Sequence, residues 1–269
     1  MSENGKISVL MGIYNCADTL EEAVQSIQNQ TYSDWELILC DDGSSDNTYE
    51  VAARLAGEDS RIILLKNESN KGLNETLNNC LAAASGYYIA RMDGDDRCKP
   101  ERFEKQVAAL KENPDYSIVS SAMELFDESG VWGKQVTPEF PTPEQVVTGT
   151  PICHAPVLMY KSCMDAVGGY SVDKKKLRVE DIDLWIRLYE AGFRCINIQE
   201  PLYEMRNDQN ALKRRKYRYR VNSTRVRLAG CKKLHLGLKA HFKAFKPMIA
   251  GLVPAGLRSR IRKAQNKQQ

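Results

Sequence analysis

Ala90-Arg91-Met92-Asp93-Gly94-Asp95-Asp96 sets three carboxylates within four residues, directly after the apolar run Tyr87-Tyr88-Ile89-Ala90. That run reads as a buried strand. Like charges a few Å apart resist joint ionisation, and a divalent cation relieves the stress. Mg²⁺ takes oxygen ligands and is typically held by one or two carboxylates plus substrate phosphates. The stretch therefore predicts Mn²⁺ or Mg²⁺ on Asp93 and Asp95, set against a nucleotide diphosphate. The plain alternative is a surface turn rich in Asp and Gly.

The flanking chain bears on that choice. Ile7–Met11 is an apolar run of strand length, turned by Gly12-Ile13-Tyr14-Asn15. Asp18 and Glu21 form a capping-box pattern, and Leu20, Val24 and Ile27 recur at helical spacing. A second strand spans Trp35–Cys40 and runs into DDGSSDNT. Helix over 49–56, strand over 61–66, helix over 73–84 and strand over 87–92 follow. Such alternation predicts an α/β fold, a mostly parallel sheet with helices on both faces. Ligands of open sheets bind beyond the carboxyl ends of the strands. Asp41-Asp42 and Asp93-Gly94-Asp95-Asp96 both fall there. No GxGxxG follows the first strand and no P-loop lysine is present, so amides of a glycine loop are not the main phosphate holders. An aspartyl-phosphate enzyme would carry its nucleophile after the first strand, where this chain has none.

With 269 residues, 42% hydrophobic and 27% charged, the composition is that of a soluble globular protein. No apolar run approaches the ~18 residues that span a bilayer, and MSENGKISVL lacks the features of a secretory leader. Eight scattered cysteines without CxxC pairs predict reduced, mostly buried thiols and a cytoplasmic setting. The net charge of +3 hides an asymmetry: residues 206–269 carry 19 Lys/Arg against one acid, and the rest carries 19 against 34. A basic tail on an acidic body suggests an anionic partner.

The middle of the chain says less. Phe103, Val107 and Leu110 suggest an amphipathic helix after Pro100, and Ile118–Phe126 a strand. Pro138, Pro141 and Pro143 mark an irregular link. His154 sits in the apolar run TPICHAPVLMY, and Gly168-Gly169-Tyr170 reads as a turn. Glu180, Asp181 and Asp183 open a helix whose Ile182, Trp185 and Leu188 face inward. The helix dipole alone favours such acids, by roughly 0.3–1 kcal/mol each.

In order and spacing, ISVLMGIYN, WELILCDDGSSDNT, NKGLNETLNNCLAAASGYYIARMDGDD and VEDIDLWIRL resemble family 2 glycosyltransferases of the GT-A fold, in particular those of bacterial exopolysaccharide and capsule synthesis. The resemblance covers residues 6–205. It implies a nucleotide-sugar-binding half (1–112), an acceptor-binding half of the same domain (113–205) and a basic amphipathic helical tail (206–269). It also implies an inverting, metal-dependent transfer from a UDP-sugar to a saccharide hydroxyl. By the same resemblance Asp42 contacts the base, with Gly12 and Tyr14 in its pocket. Asp95 is the direct Mn²⁺ or Mg²⁺ ligand, and Asp93 contacts ribose or metal-bound water. Arg91 pairs with these acids or with the diphosphate, and His154 stands near the acceptor. Asp181 is the general base and Glu180 positions substrate. Gly12-Ile13 replaces the commoner Pro-Thr, and Gly94 the commoner Ala.

The tail combines KRRKYRYR (213–220) with later apolar residues, among them Leu238, Phe242, Phe245, Ile249 and Val253. Basic and apolar together suggest an anionic membrane surface, in keeping with a polyprenyl-diphosphate-linked acceptor and a peripheral place on the inner face of the membrane. Arg206, Arg214 or Arg215 reaching the donor diphosphate, or a nucleic acid stacked on Tyr217 and Tyr219, are the alternatives. A further reading is a non-catalytic or bifunctional adaptor on the same scaffold, its tail docking an acidic protein. No QxxRW-like sequence occurs, which argues against a processive synthase.

Overall fold

A computed structural model describes residues 5–206 and 217–252. Its strands are β1 (Ile7–Ile13), β2 (Trp35–Asp41), β3 (Ile62–Lys66), β4 (Tyr88–Arg91), β5 (Arg97–Cys98), β6 (Ile118–Asp127), β7 (Gly130–Gln135), β8 (Leu158–Tyr160) and β9 (Cys195–Arg206). Helices α1 (Ala17–Gln28), α2 (Thr48–Glu58) and α3 (Leu73–Ala83) join the first four strands, and α4 (Arg102–Glu112) follows β5. Then come α5 (Pro143–Thr148), α6 (Lys161–Val167), α7 (Glu180–Glu190), α8 (Tyr217–Lys233), α9 (Leu238–Ala244) and α10 (Lys246–Leu252). The sheet order is β3-β2-β1-β4-β8-β6-β9-β5, with β7 paired to β6. β3, β2, β1 and β4 run parallel, as do β6 and β9, while β5, β7 and β8 are antiparallel to their neighbours.

Side-chain alternation along β1 assigns each face. Ile7, Val9, Met11 and Ile13 bury against one apolar cluster with Leu20, Val24 and Ile27 of α1 and Phe103 of α4. Leu10 buries on the other face with Ile38, Leu77 and Cys80. A strand covered on both faces reads as a continuous apolar run, which is why Ile7–Met11 is legible. The second cluster continues through Leu184, Trp185 and Leu188 of α7 to Val226 and Cys231 of α8 and Ala240 and Ala244 of α9. All eight cysteines are free thiols.

Three local expectations are corrected. Tyr87 is 60% exposed, because β4 begins at Tyr88 and the ring instead stands edge-on to Tyr88 and Tyr160. The N-cap of α1 is Cys16, not Asp18. Its free amides are met by the DDGS loop, since Cys16 N donates to Thr48 Oγ1 at 2.8 Å and Ala17 N to Asp46 Oδ2 at 3.4 Å. Pro143 lies in no irregular link: it opens α5, where Thr142 and Gln145 form a reciprocal capping box and a proline lacks only an amide that would be unpaired anyway.

Glu36, buried in β2, accepts hydrogen bonds from Lys6 Nζ and Ser8 Oγ at 2.5 Å and from Ser85 N at 2.7 Å. Burial alone would raise its pKa, but these donors hold it down at about 2. A depressed carboxyl contributes stability above its ordinary pKa, which is lost as pH falls through the folded value. Glu36→Gln is therefore expected to cost on the order of 3 kcal/mol near neutrality. It should also flatten the acid dependence of the urea midpoint between pH 4.5 and about 2.

Candidate active site

The carboxyl end of β4 delivers the acidic stretch to the sheet edge, and the three acids part company there. Asp93 Oδ1 takes a hydrogen bond from Arg91 Nη2 at 2.5 Å. Asp96 is buried and accepts from Tyr203 Oη at 2.8 Å and Arg206 N at 2.7 Å. Burial, then the charges of Asp93 and Asp95, push its pKa up to about 8. It is a brace between this loop and β9. Asp95 is solvent-exposed, yet the crowding protein and then the Asp93 charge raise its pKa, against Arg206 and Arg91. Gly94 packs so closely that a Cβ would lie 3.0 Å from Cys16 Sγ and 3.1 Å from Ile13 Cγ2. A side chain there would need Cys16 and Ile13 to give way by a few tenths of an ångström.

Two arginines hold the stretch from behind. Arg102, fully buried at the start of α4, donates from Nη2 to the carbonyls of Arg91 (2.8 Å) and Val157 (3.3 Å). Gln106, one turn on, donates to the Pro156 carbonyl at 2.5 Å. Burial lowers the pKa of Arg102, whose Nε and Nη1 donate to Gln106 Oε1 and Met92 Sδ. This clamp joins the β4 end to the loop before β8. Its only sequence signal is an Arg and a Gln four apart on an otherwise amphipathic helix.

Arg91 is the second. Burial opposes its charge, but Asp93 leads a set of neighbours that hold its pKa above the ordinary range. Its Nε is buried without a hydrogen-bond partner. Its field reaches Asp93 and Asp96, and also Asp95, His154, Glu180 and Asp181. The β4 loop, the β8 approach and the start of α7 thus meet around one guanidinium.

At α7, Glu180 and Asp181 are set by an N-terminus whose Val179 cap provides no side-chain acceptor. Arg178, just before, has a left-handed φ of 64°, a strain that non-glycine residues carry mostly at functional sites. Burial, then Asp181, raises the pKa of Glu180. Burial also raises that of Asp181, offset by the Ile182 amide at 2.8 Å, by Arg227 of α8 and by Arg91. Asp183 is structural, paired to Lys176 at 2.8 Å and Arg187 at 2.9 Å. His154 Nε2 lies 3.0 Å from Tyr170 Oη, with its ring edge-on to Trp185. Burial and then Arg91 keep its pKa well below the ordinary value, so the imidazole is neutral.

Beside this cluster opens a cleft of about 880 Å³, lined by Gly12, Tyr14, Asp42 and Glu180 and, from α8, by Arg218 and Asn222. Asp42 caps neither its own loop nor α2. It accepts from Asn67 Nδ2 (2.9 Å), Lys71 N (2.8 Å) and Gly72 N (2.9 Å), fixing the approach to α3. One of its four acceptor positions is left for a ligand. Arg91, Asp93, Asp95, His154 and Asp181 stand outside this lining. Arg206 is spent on Glu22 (2.5 Å) and the Asp95 carbonyl (2.9 Å), so it braces the acidic loop. Arg214 and Arg215 lie outside the described residues. Sequence reasoning missed Arg102, Tyr203 and Arg227, which reach the site from distant segments.

Among the described residues no three His, Cys, Asp or Glu side chains gather into a metal cage. Two carboxylates of hard oxygen, Asp93 and the exposed Asp95, suit an ion that completes its shell with substrate oxygens.

Comparison with known proteins agrees with this architecture. Residues 8–162 match the family described as Glycosyl transferase family 2. The chain is 44% identical to the putative glycosyltransferase EpsE of Bacillus subtilis, over 98% of this chain and 95% of that protein. It is 31% identical to WfgD of Escherichia coli, a UDP-Glc:alpha-D-GlcNAc-diphosphoundecaprenol beta-1,3-glucosyltransferase, over 79% of this chain and 81% of that one. In fold it is similar to the mannosyltransferase PcManGT of Pyrobaculum calidifontis, solved with GDP-Man and Mn²⁺. The TM-score is 0.62 at 17% identity, covering 98% of this chain and 80% of the other. With its acids gathered at the edge of a GT-A sheet and these relatives along nearly its whole length, the chain belongs to glycosyltransferase family 2.

Proposed function

We propose that this protein transfers a hexosyl group, with inversion, from a UDP-sugar to a hydroxyl of a polyprenyl-diphosphate-linked saccharide in the synthesis of a cell-surface polysaccharide. The observation that carries the reading is the cleft at the carboxyl end of the sheet, which brings Gly12, Tyr14 and Asp42 at the ends of the first strands together with Glu180 of α7. Asp42, Gly12 and Tyr14 hold the base at one end of the cleft. Asp181 takes the proton of the acceptor hydroxyl as it attacks the anomeric carbon, and Glu180 orients that acceptor. His154, kept neutral, offers a hydrogen bond without adding charge. Mn²⁺ or Mg²⁺, held by Asp95 and Asp93, would neutralise charge on the departing diphosphate. The name of WfgD supports both the donor class and the lipid-diphosphate acceptor. Among the described residues no helix is long and apolar enough to cross a membrane, so peripheral attachment at the cytoplasmic face is part of the proposal.

The test is release of nucleoside diphosphate from a panel of sugar nucleotides, with a lipid-diphosphate saccharide as acceptor and with or without Mn²⁺. Mn²⁺-dependent release from one UDP-sugar is expected. If no donor is consumed in any combination, the adaptor reading takes its place.

A further inference from the structure

Helices α9 and α10 follow one another with only Phe245 between them, itself in a helical conformation. Leu238, Phe242, Phe245 and Ile249 recur along them at i, i+4, i+7 and i+11. Leu238 and Phe242 stand one turn apart on α9, and Phe245 and Ile249 one turn apart across the start of α10, where the Ile249 amide donates to the Phe245 carbonyl. All four side chains face solvent, at 79, 76, 40 and 61% exposure. The opposite face is the packed one: Ala240 and Ala244 are buried in the core cluster that holds α7, and Lys243 pairs with Glu144 of α5 at 2.8 Å. The seam that fixes these helices to the body is therefore not the large apolar stripe, which points away from it.

A stripe of this size on the surface marks a contact, and charge identifies what it contacts. Residues 217–252 contain nine Lys and Arg and no Asp or Glu, and residues 253–269 add five more with no acid. Lys239 and Lys246 are exposed beside the stripe. A second copy would bring this all-basic segment against itself, and residues 253–269 folded back would do the same. An anionic lipid surface accepts both the apolar ridge and the cations around it. We infer that Leu238, Phe242, Phe245 and Ile249 insert at the headgroup boundary of an anionic phospholipid membrane, flanked by Lys239 and Lys246. This rests on the surface of α9 and α10 and does not require the transferase reading. It supplies that reading with a means of reaching a lipid-linked acceptor.

Sedimentation of the full chain with vesicles, without donor or acceptor, tests it. Binding is expected on phosphatidylglycerol-containing vesicles, weakening with salt, and not on pure phosphatidylcholine. F242E/I249E should abolish binding and leave transfer to a soluble acceptor unchanged. K239Q/K246Q should lower partitioning about fivefold per charge removed. A thiol at F242C should react readily with a membrane-impermeant maleimide in solution and slowly on vesicles. Failure of the wild type to sediment, or wild-type sedimentation of F242E/I249E, overturns the inference. So does an F242C thiol shielded in solution, which would mean that residues 253–269 or a second copy covers the stripe.

Discussion

Asp181→Asn is expected to leave the fold and UDP affinity intact and to cut turnover by roughly 10²–10⁴, the usual contribution of a general base. Asparagine keeps the shape and still accepts the Ile182 amide, so the loss is specific to proton removal. Glu180→Gln should weaken acceptor binding more than turnover. The pH profile adds an independent check. Burial raises the Asp181 pKa, and a base must be ionised to act. The acid limb of kcat/KM should therefore lie above the ordinary Asp range, with activity falling as pH drops through it. Because Arg227 pulls that pKa down, Arg227→Met should move the limb to still higher pH. Turnover preserved in Asp181→Asn would transfer the role elsewhere, and an unmoved limb in Arg227→Met would remove Arg227 from it.

The second large effect concerns the acids after β4, which the structure sorts into different jobs. Asp95→Asn is expected to lower kcat by about 10²–10³, the size of losing one preorganised stabiliser of transition-state charge. Mn²⁺ should then no longer tighten UDP binding measured by calorimetry. Asp96→Asn should do far less. Asp96 is already biased toward its neutral form by burial, and in the amide the oxygen can still accept from the Arg206 amide while the NH2 donates to the Tyr203 hydroxyl oxygen. If the two variants lose activity equally, the division of labour drawn from their hydrogen bonds is wrong.

The first half of the fold was legible because each element there carries a local signature. β1, β2 and β4 are buried on both faces and so read as largely apolar runs, while α1 and α4 show their inward stripes at helical spacing. The acids were legible because charge clustered at a strand end is conspicuous. Their separate duties were not, since Asp96 is distinguished only by Tyr203 and Arg206, more than a hundred positions away. Arg102 illustrates the same limit. On a helical wheel it looks like a surface cation, and only the crossing of β4 and β8 makes it a buried clamp. Cys16 takes the cap of α1 because the following loop brings Thr48 and Asp46 to it, a contact no local pattern encodes.

α8 bears on how this enzyme can be shortened. Val226 and Cys231 seal it to α7, Arg218 and Asn222 wall the cleft, and Arg227, with the Ile182 amide, opposes the rise that burial imposes on the Asp181 pKa. A chain ending after β9 would open the hydrophobic interior and lose one side of the cleft. Loss of catalysis on truncation would then report missing architecture and not a missing membrane anchor, whereas changes confined to the outer ridge of α9 and α10 separate the two.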